Sequence, residues 1–251
     1  MQRVLILNGQ FDPFTLRQTV DEIFNRLTKK QRGWLCTINV AILMMMRADQ
    51  RLQAFADRAS ITVADGQPLV WLASWFGGKL PERVTGVDLV DAICERAASE
   101  GKKVYLLGAT NDIVAKVATS LRERNPALQL NFSNGYFLKD DAPARADQVR
   151  KSSTDILFVA MGVPRQEQFI EEYWDRLNVG MAIGVGGSFD VLAGLRVRAP
   201  TWVQSIGMEW LFRLIQEPRR LFVRYLLTNS QFLWLVLRSR MGYDSTKKET
   251  N

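Results

Sequence analysis

Asp65 is the carboxylate of this chain best placed to accept a proton. It directly follows the apolar run Ile61–Ala64 and precedes Gly66, so a strand ending at Ala64 would present it at an open edge. The chain has no histidine, which leaves a carboxylate as the residue type for general-base work. The same lack excludes Ser-His and Cys-His nucleophilic pairs and histidine zinc ligands. The competing reading of Asp65 is an N-cap for a helix starting near Gln67. Thr37 and Asn39 follow a second apolar segment and can hydrogen-bond substrate hydroxyls, although Asn39 could equally cap a helix from Val40. Arg83 stands between Pro81 and Gly86 and reads as an exposed loop cation. Gln166 and Glu167 open a helix after Gly162-Val163-Pro164. Gln166 is then set to reach a polar ligand, and Glu167 suits the helix N-terminus.

A second set of residues suits a phosphate or a nucleoside. Gly108 and Asn111 follow the apolar run Val104–Leu107, and Tyr136 follows Gly135 after a weaker alternating run, Leu128–Phe132. Gly184, Gly186, Gly187 and Asp190 lie together in the stretch GVGGSFD. Glycine lets backbone N–H groups come close to a phosphate. Tyr136 can stack on a base unless it is core, and Asp190 can accept from a ribose or base unless it caps a helix. Phe189 stands where the third glycine of G-x-G-x-x-G belongs, and no G-x-x-x-x-G-K-[ST] occurs, so dinucleotide and P-loop fingerprints are absent. No D-x-D triplet occurs either. A bound diphosphate would then be met by arginines and N–H dipoles.

The elements that must carry these residues alternate. Val4–Leu7, Ile61–Ala64, Val104–Leu107, Ile156–Ala160 and Met181–Val185 read as buried parallel strands. Between them run amphipathic stretches over Val40–Arg58, Val87–Ser99, Ile113–Arg124, Ala144–Lys151 and Gln166–Leu177. This order predicts an α/β fold, a Rossmann-like doubly wound, mainly parallel sheet, whose ligands collect beyond the C-terminal strand ends. Residues 1–195 read as this catalytic body, 196–245 as a helical basic appendage and 246–251 as a disordered tail.

The net charge of +7 is concentrated late in the chain. Between Arg196 and Arg240 eight arginines face only Glu209 and Glu217, which implies a local anionic partner. Arg220 and Arg224 share a helix face, Arg213 joins them if the helix runs through Pro218, and Arg219 flanks them. The apolar stretch Tyr225–Leu237 is broken by Thr228-Asn229-Ser230-Gln231 and is too short to cross a bilayer. It fits either a helix lying in the membrane interface or one packed on the core. No secretory signal is visible at the N-terminus. Cys36 and Cys94 are too few for a disulfide framework, which makes a reducing cytoplasm the default, and Cys36 has no evident activator, so it reads as structural. Met44, Met45 and Met46 read as core filler, and Trp34, Trp71 and Trp75 as packing or subunit-contact residues.

Six motifs, in this order and spacing, resemble the WecG/TagA/CpsF glycosyltransferase family. They are ADG at Ala64–Gly66, ERVTGVDL at Glu82–Leu89, GVPRQE at Gly162–Glu167, GVGGSFDVLAG at Gly184–Gly194, RAP at Arg198–Pro200 and EWLFRLIQEPRRLFVRY at Glu209–Tyr225. The resemblance implies an inverting, metal-independent enzyme that needs no cofactor. It would move a sugar from a UDP-sugar to a polyprenyl-diphosphate-linked saccharide at the inner face of the cytoplasmic membrane, for surface polysaccharide biosynthesis. It favours Asp65 as the base and makes Arg83 a phosphate or sugar contact. Arg213, Arg219, Arg220 and Arg224 would serve the lipid diphosphate or an anionic membrane surface. No nucleic-acid partner is implied, and a homo-oligomer is left open. Two other classes compete: a nucleotide-dependent oxidoreductase on the same fold, and a non-catalytic membrane or nucleic-acid binder acting through the basic C-terminal helix.

Overall fold

The computed structural model describes residues 2–200, 202–203, 208–216 and 218–240, with the backbone alone at 213, 218–227 and 240. Its strands are β1 (Val4–Ile6), β2 (Gly9–Phe11), β3 (Gly33–Ile38), β4 (Ile61–Ala64), β5 (Lys103–Gly108), β6 (Gln129–Ser133), β7 (Ile156–Ala160) and β8 (Met181–Gly184). The helices are α1 (Leu16–Thr28), α2 (Val40–Ala48), α3 (Gln50–Asp57), α4 (Gln67–Leu72), α5 (Gly86–Ser99), α6 (Asn111–Arg124), α7 (Ala142–Lys151), α8 (Arg165–Glu172), α9 (Trp174–Leu177), α10 (Ser188–Leu192), α11 (Glu209–Gln216) and α12 (Pro218–Arg240).

Six strands form one all-parallel sheet in the order β4-β3-β8-β7-β5-β6. The expected α/β sheet is therefore present. Every residue of β4, β7 and β8 is buried, as it must be when helices cover both faces. Leu107, Leu157, Val159 and Ala182 enter one apolar cluster, whereas Leu106, Ile156, Phe158 and Ile183 enter the other. β5 leads outward to β6 while β7 leads back to β8, so their connections diverge at the crevice between β5 and β7. Gly108 stands there with φ +154°, and a Cβ on it would lie 2.4 Å from the Ala160 carbonyl oxygen. Only glycine lets the two loops approach so closely.

Three elements differ from the sequence reading, one of them Gln166–Leu177, which is two helices, α8 and α9, that meet at Tyr173. Val4–Leu7 is no strand of the main sheet: β1 pairs antiparallel with β2 in a separate hairpin. Its side chains alternate, Val4 and Ile6 inward and Leu5 54 % exposed, which suits a one-sided ribbon and not a doubly covered strand. β3 takes the place in the sheet instead. The stretch Val40–Arg58 is two helices, because Asp49 caps a new one by accepting from the Arg51 and Leu52 N–H groups.

The segment after Gly194 lies against the body. α12 packs along α2, with Phe232, Leu235 and Val236 buried in the same apolar cluster as Val40, Leu43 and Met44. Burial of Phe232 alone stabilises by roughly 1.5–3 kcal/mol. Leu233, Trp234 and Leu237 face outward, each more than half exposed. Among the described residues no helix is long and apolar enough to cross a membrane.

Candidate active site

The C-terminal ends of β4, β3, β8 and β7 open into a cleft of about 750 Å³, roofed by residues from the segment after Gly194. That volume suits a small-molecule ligand. Asp65, Thr37, Asn39, Arg83 and Gln166 all line it, so five residues spread over the sequence meet in one place.

Asp65 sits where β4 ends, partly buried, with its N–H bound to the Ile38 carbonyl at 2.8 Å. It does not cap α4: the N-cap there is Gly66, and that helix has no side-chain cap. Asn39 does cap a helix, accepting from the Ile42 N–H at 3.0 Å, which anchors the residue at the cleft edge while its amide nitrogen is not used by the cap. The Thr37 hydroxyl donates to the Gly184 carbonyl at 3.0 Å and ties β3 to β8 at the cleft floor.

Arg83 departs from expectation. It is no exposed loop cation: its side chain is 15 % exposed and lies 2.6 Å from the Glu209 carboxylate, itself 4 % exposed. Glu209 opens α11, so a residue far along the chain covers a loop that local sequence marks as open. Sequence reasoning also overlooked Arg196 and Arg198, which line the cleft and pair with Asp190 at 3.2 Å and Asp88 at 2.7 Å. The RAP motif was the signal for Arg198. Among the described residues three cations thus line the cleft, each paired to a carboxylate.

The turn after β8 departs as well. Gly186, at φ +51°, gives its N–H to the Gln166 side-chain oxygen at 3.0 Å, so that amide is spent inside the protein and not offered to a phosphate. Gly187 remains on the cleft wall. Gly184 does not line the cleft; it makes room for Gln166, whose amide nitrogen would lie 2.6 Å from an added Cβ. Asp190 is committed to Arg196. Gly108, Asn111 and Tyr136 lie outside the cleft, at the ends of β5 and β6 on the far side of β7. Asn111 is the first residue of α6, and Tyr136 is 70 % exposed, so it is not core.

The side chains of Arg213, Arg219, Arg220 and Arg224 lie outside the described residues, as does the tail 246–251. Arg213 stands on α11 and Arg219, Arg220 and Arg224 on α12, with residue 217 between the two helices also outside the described residues.

Among the described residues, Glu167 is the strongly perturbed acid near the site. Burial pushes its carboxyl up from 4.5 to about 7, against the Leu35, Ile42, Phe55 and Ile170 side chains around it. Burial also pushes both thiols up, Cys94 to about 12, which leaves them inert. A carboxyl raised in the fold stabilises most fully below pH 4.5, and that share is lost as pH climbs through 7, roughly 3 kcal/mol in all. Glu167→Gln should therefore melt progressively higher than wild type between pH 5 and 8. Parallel melting profiles would contradict the assignment.

The family model for the glycosyl transferase WecG/TagA/CpsF family matches residues 4–246. The chain is 30 % identical over 213 residues to the N-acetylglucosaminyldiphosphoundecaprenol N-acetyl-beta-D-mannosaminyltransferase of Bacillus spizizenii, covering 84 % of this chain and 81 % of that one. It is 30 % identical over 222 residues to the enzyme of the same description from Staphylococcus aureus strain MW2, covering 87 % of each. With the parallel sheet, the motif residues gathered in one cleft and a match over nearly the whole chain, this protein belongs to the WecG/TagA/CpsF family of glycosyl transferases.

Proposed function

We propose that the chain transfers a sugar, with inversion, from a UDP-sugar to a polyprenyl-diphosphate-linked saccharide, working as a peripheral protein on the cytoplasmic face of the membrane. The observation that carries this reading is the cleft itself, whose lining combines Asp65, the Gly186–Gly187 turn and Arg83, Arg196 and Arg198. Inverting transfer is a single displacement. It needs one base to take the acceptor hydroxyl proton, and fixed positive charge to stabilise the leaving diphosphate. Asp65 fills the first role, and the arginines with the Gly187 turn fill the second.

The donor would lie along the strand ends. Four strand intervals of roughly 4.8 Å separate β4 from β5, about 19 Å, comparable to an extended sugar nucleotide. Uridine would sit by Gly108, Asn111 and Tyr136 at the crevice where the connections diverge, and the sugar by Asp65 and Thr37. The relatives' names give N-acetylmannosamine as the sugar and N-acetylglucosaminyldiphosphoundecaprenol as the acceptor, so these are the substrates to test first. Arg213, Arg219, Arg220 and Arg224 would meet the lipid diphosphate and anionic headgroups, with the outward Leu233, Trp234 and Leu237 entering the interface. Family membership weighs against an oxidoreductase or a non-catalytic binder.

The experiment is to incubate the enzyme with a panel of UDP-sugars and the lipid-linked acceptor and to weigh the product. A lipid one sugar heavier supports the reading, and no transfer from any UDP-sugar removes it. Turnover should be undiminished in EDTA, because side-chain cations and backbone amides carry the diphosphate charge. Activity lost in EDTA and restored by magnesium or manganese would contradict this.

A further inference from the structure

We propose that Glu167 is a positioning residue for the transfer reaction, setting the Gln166 amide so that it holds the Gly186–Gly187 turn in its ligand-binding shape. This rests on the cleft being the donor site. Gln166 is 3 % exposed, and both ends of its amide are used. Its oxygen accepts from the Gly186 N–H at 3.0 Å, and its nitrogen donates to Glu167 Oε1 at 2.8 Å. The Gly186 partner enforces one orientation: a backbone N–H can only donate, so the Gln166 oxygen faces it and the amide nitrogen is left to donate to Glu167 Oε1. Reversing the amide would set donor against donor at Gly186 and lose the bond to Glu167 Oε1. Gly184 admits this arrangement, since an added Cβ would lie 2.6 Å from Gln166 Nε2 and 3.5 Å from Glu167 Oε1.

Glu167 has no other evident structural task among the described residues. Its Oε2 is buried with no hydrogen-bond partner, it forms no ion pair among the described residues, and it does not line the cleft. A buried, half-satisfied carboxyl is costly unless it does something for its neighbours. The part it touches is Gln166, and through Gln166 the turn. Gly186 is in the left-handed region, where an unheld glycine has several alternatives. Removing the acceptor at Glu167 frees the Gln166 amide to reverse and releases the turn, while Asp65 and the acceptor side of the cleft keep their supports.

Glu167→Met removes the acceptor at similar length, and Glu167→Gln restores one through its amide oxygen. Hydrogen exchange at the Gly186 amide needs no ligand. It should accelerate in Glu167→Met and stay near wild type in Glu167→Gln. On the full chain, Glu167→Met should raise the UDP Kd and the donor KM about 10-fold, with the acceptor KM within a few-fold, and Glu167→Gln should recover most of the loss. Unchanged exchange at Gly186 in a folded Glu167→Met protein would overturn the proposal. So would faster exchange with UDP affinity and donor KM untouched, or a Glu167→Gln variant as impaired as Glu167→Met. A wild-type enzyme that fails to bind UDP would instead refute the donor-site reading, and the exchange measurement would still decide whether Glu167 holds the turn.

Discussion

Asp65→Asn should abolish sugar transfer while UDP binding survives within a few-fold. The amide keeps the shape of the carboxylate but cannot take a proton. The expected loss is at least the ~10²–10⁴-fold typical of a positioned general base. The structure strengthens this expectation by removing the competing role: α4 begins with Gly66 as its N-cap and no side-chain cap, so the Asp65 carboxylate is not spent on that helix. Asp65 also reaches the cleft from the end of a fully buried strand, which makes it a rigid support. Stability should change little. Near-normal turnover in a correctly folded Asp65→Asn enzyme would remove Asp65 from this role.

Arg83→Ala should cost the enzyme twice, in rate and in stability. Removing a fixed cation aimed at developing charge in a secluded site typically lowers kcat by about 10²–10³-fold. The same change leaves Glu209 buried without that cation, at 4 % side-chain exposure, which costs on the order of 3 kcal/mol. A double variant separates the two effects. Arg83→Ala with Glu209→Gln should regain most of the melting temperature and none of the rate, because neutralising Glu209 cures the buried charge but returns no cation to the cleft. If the double variant recovered turnover, Arg83 would be a strut for α11 and not a ligand for the diphosphate.

The Arg83–Glu209 pair also bears on how the segment after Gly194 is used. Among the described residues, that segment meets the body through three ion pairs, at Arg83, Asp88 and Asp190, and through Phe232 on α2. Each pair places a charge at the cleft. An anionic ligand entering there would compete with Glu209, Asp190 and Asp88 for the same arginines, which would link ligand binding to the seating of the roof.

How far the sequence alone reached follows from what is local in it. Apolar runs such as Ile156–Ala160 and Met181–Gly184 carry enough continuous hydrophobicity to demand cover on both faces, and their alternation with amphipathic stretches leaves a parallel sheet as the arrangement that supplies it. From that sheet it follows that Asp65 and Gln166 stand on one edge, because Asp65 directly follows β4 and Gln166 lies in the first turn of the helix after β7, while Thr37 reaches the same edge from the C-terminal end of β3. Val4–Leu7 reads as a sheet strand from sequence because so short a run cannot reveal whether one face or two will be buried. Arg83 was misread for a different reason: its loop is open by every local sign, and the residue that closes it, Glu209, arrives from another part of the chain. The direction of the Gln166 amide, the spending of the Gly186 N–H and the stranded oxygen of Glu167 likewise exist only once β8 and α8 are side by side. Periodicity and turn chemistry are written in neighbouring residues, so the sequence determines the elements and the edge where chemistry gathers. Which polar group meets which is set by packing between distant segments, and that the tertiary structure alone decided.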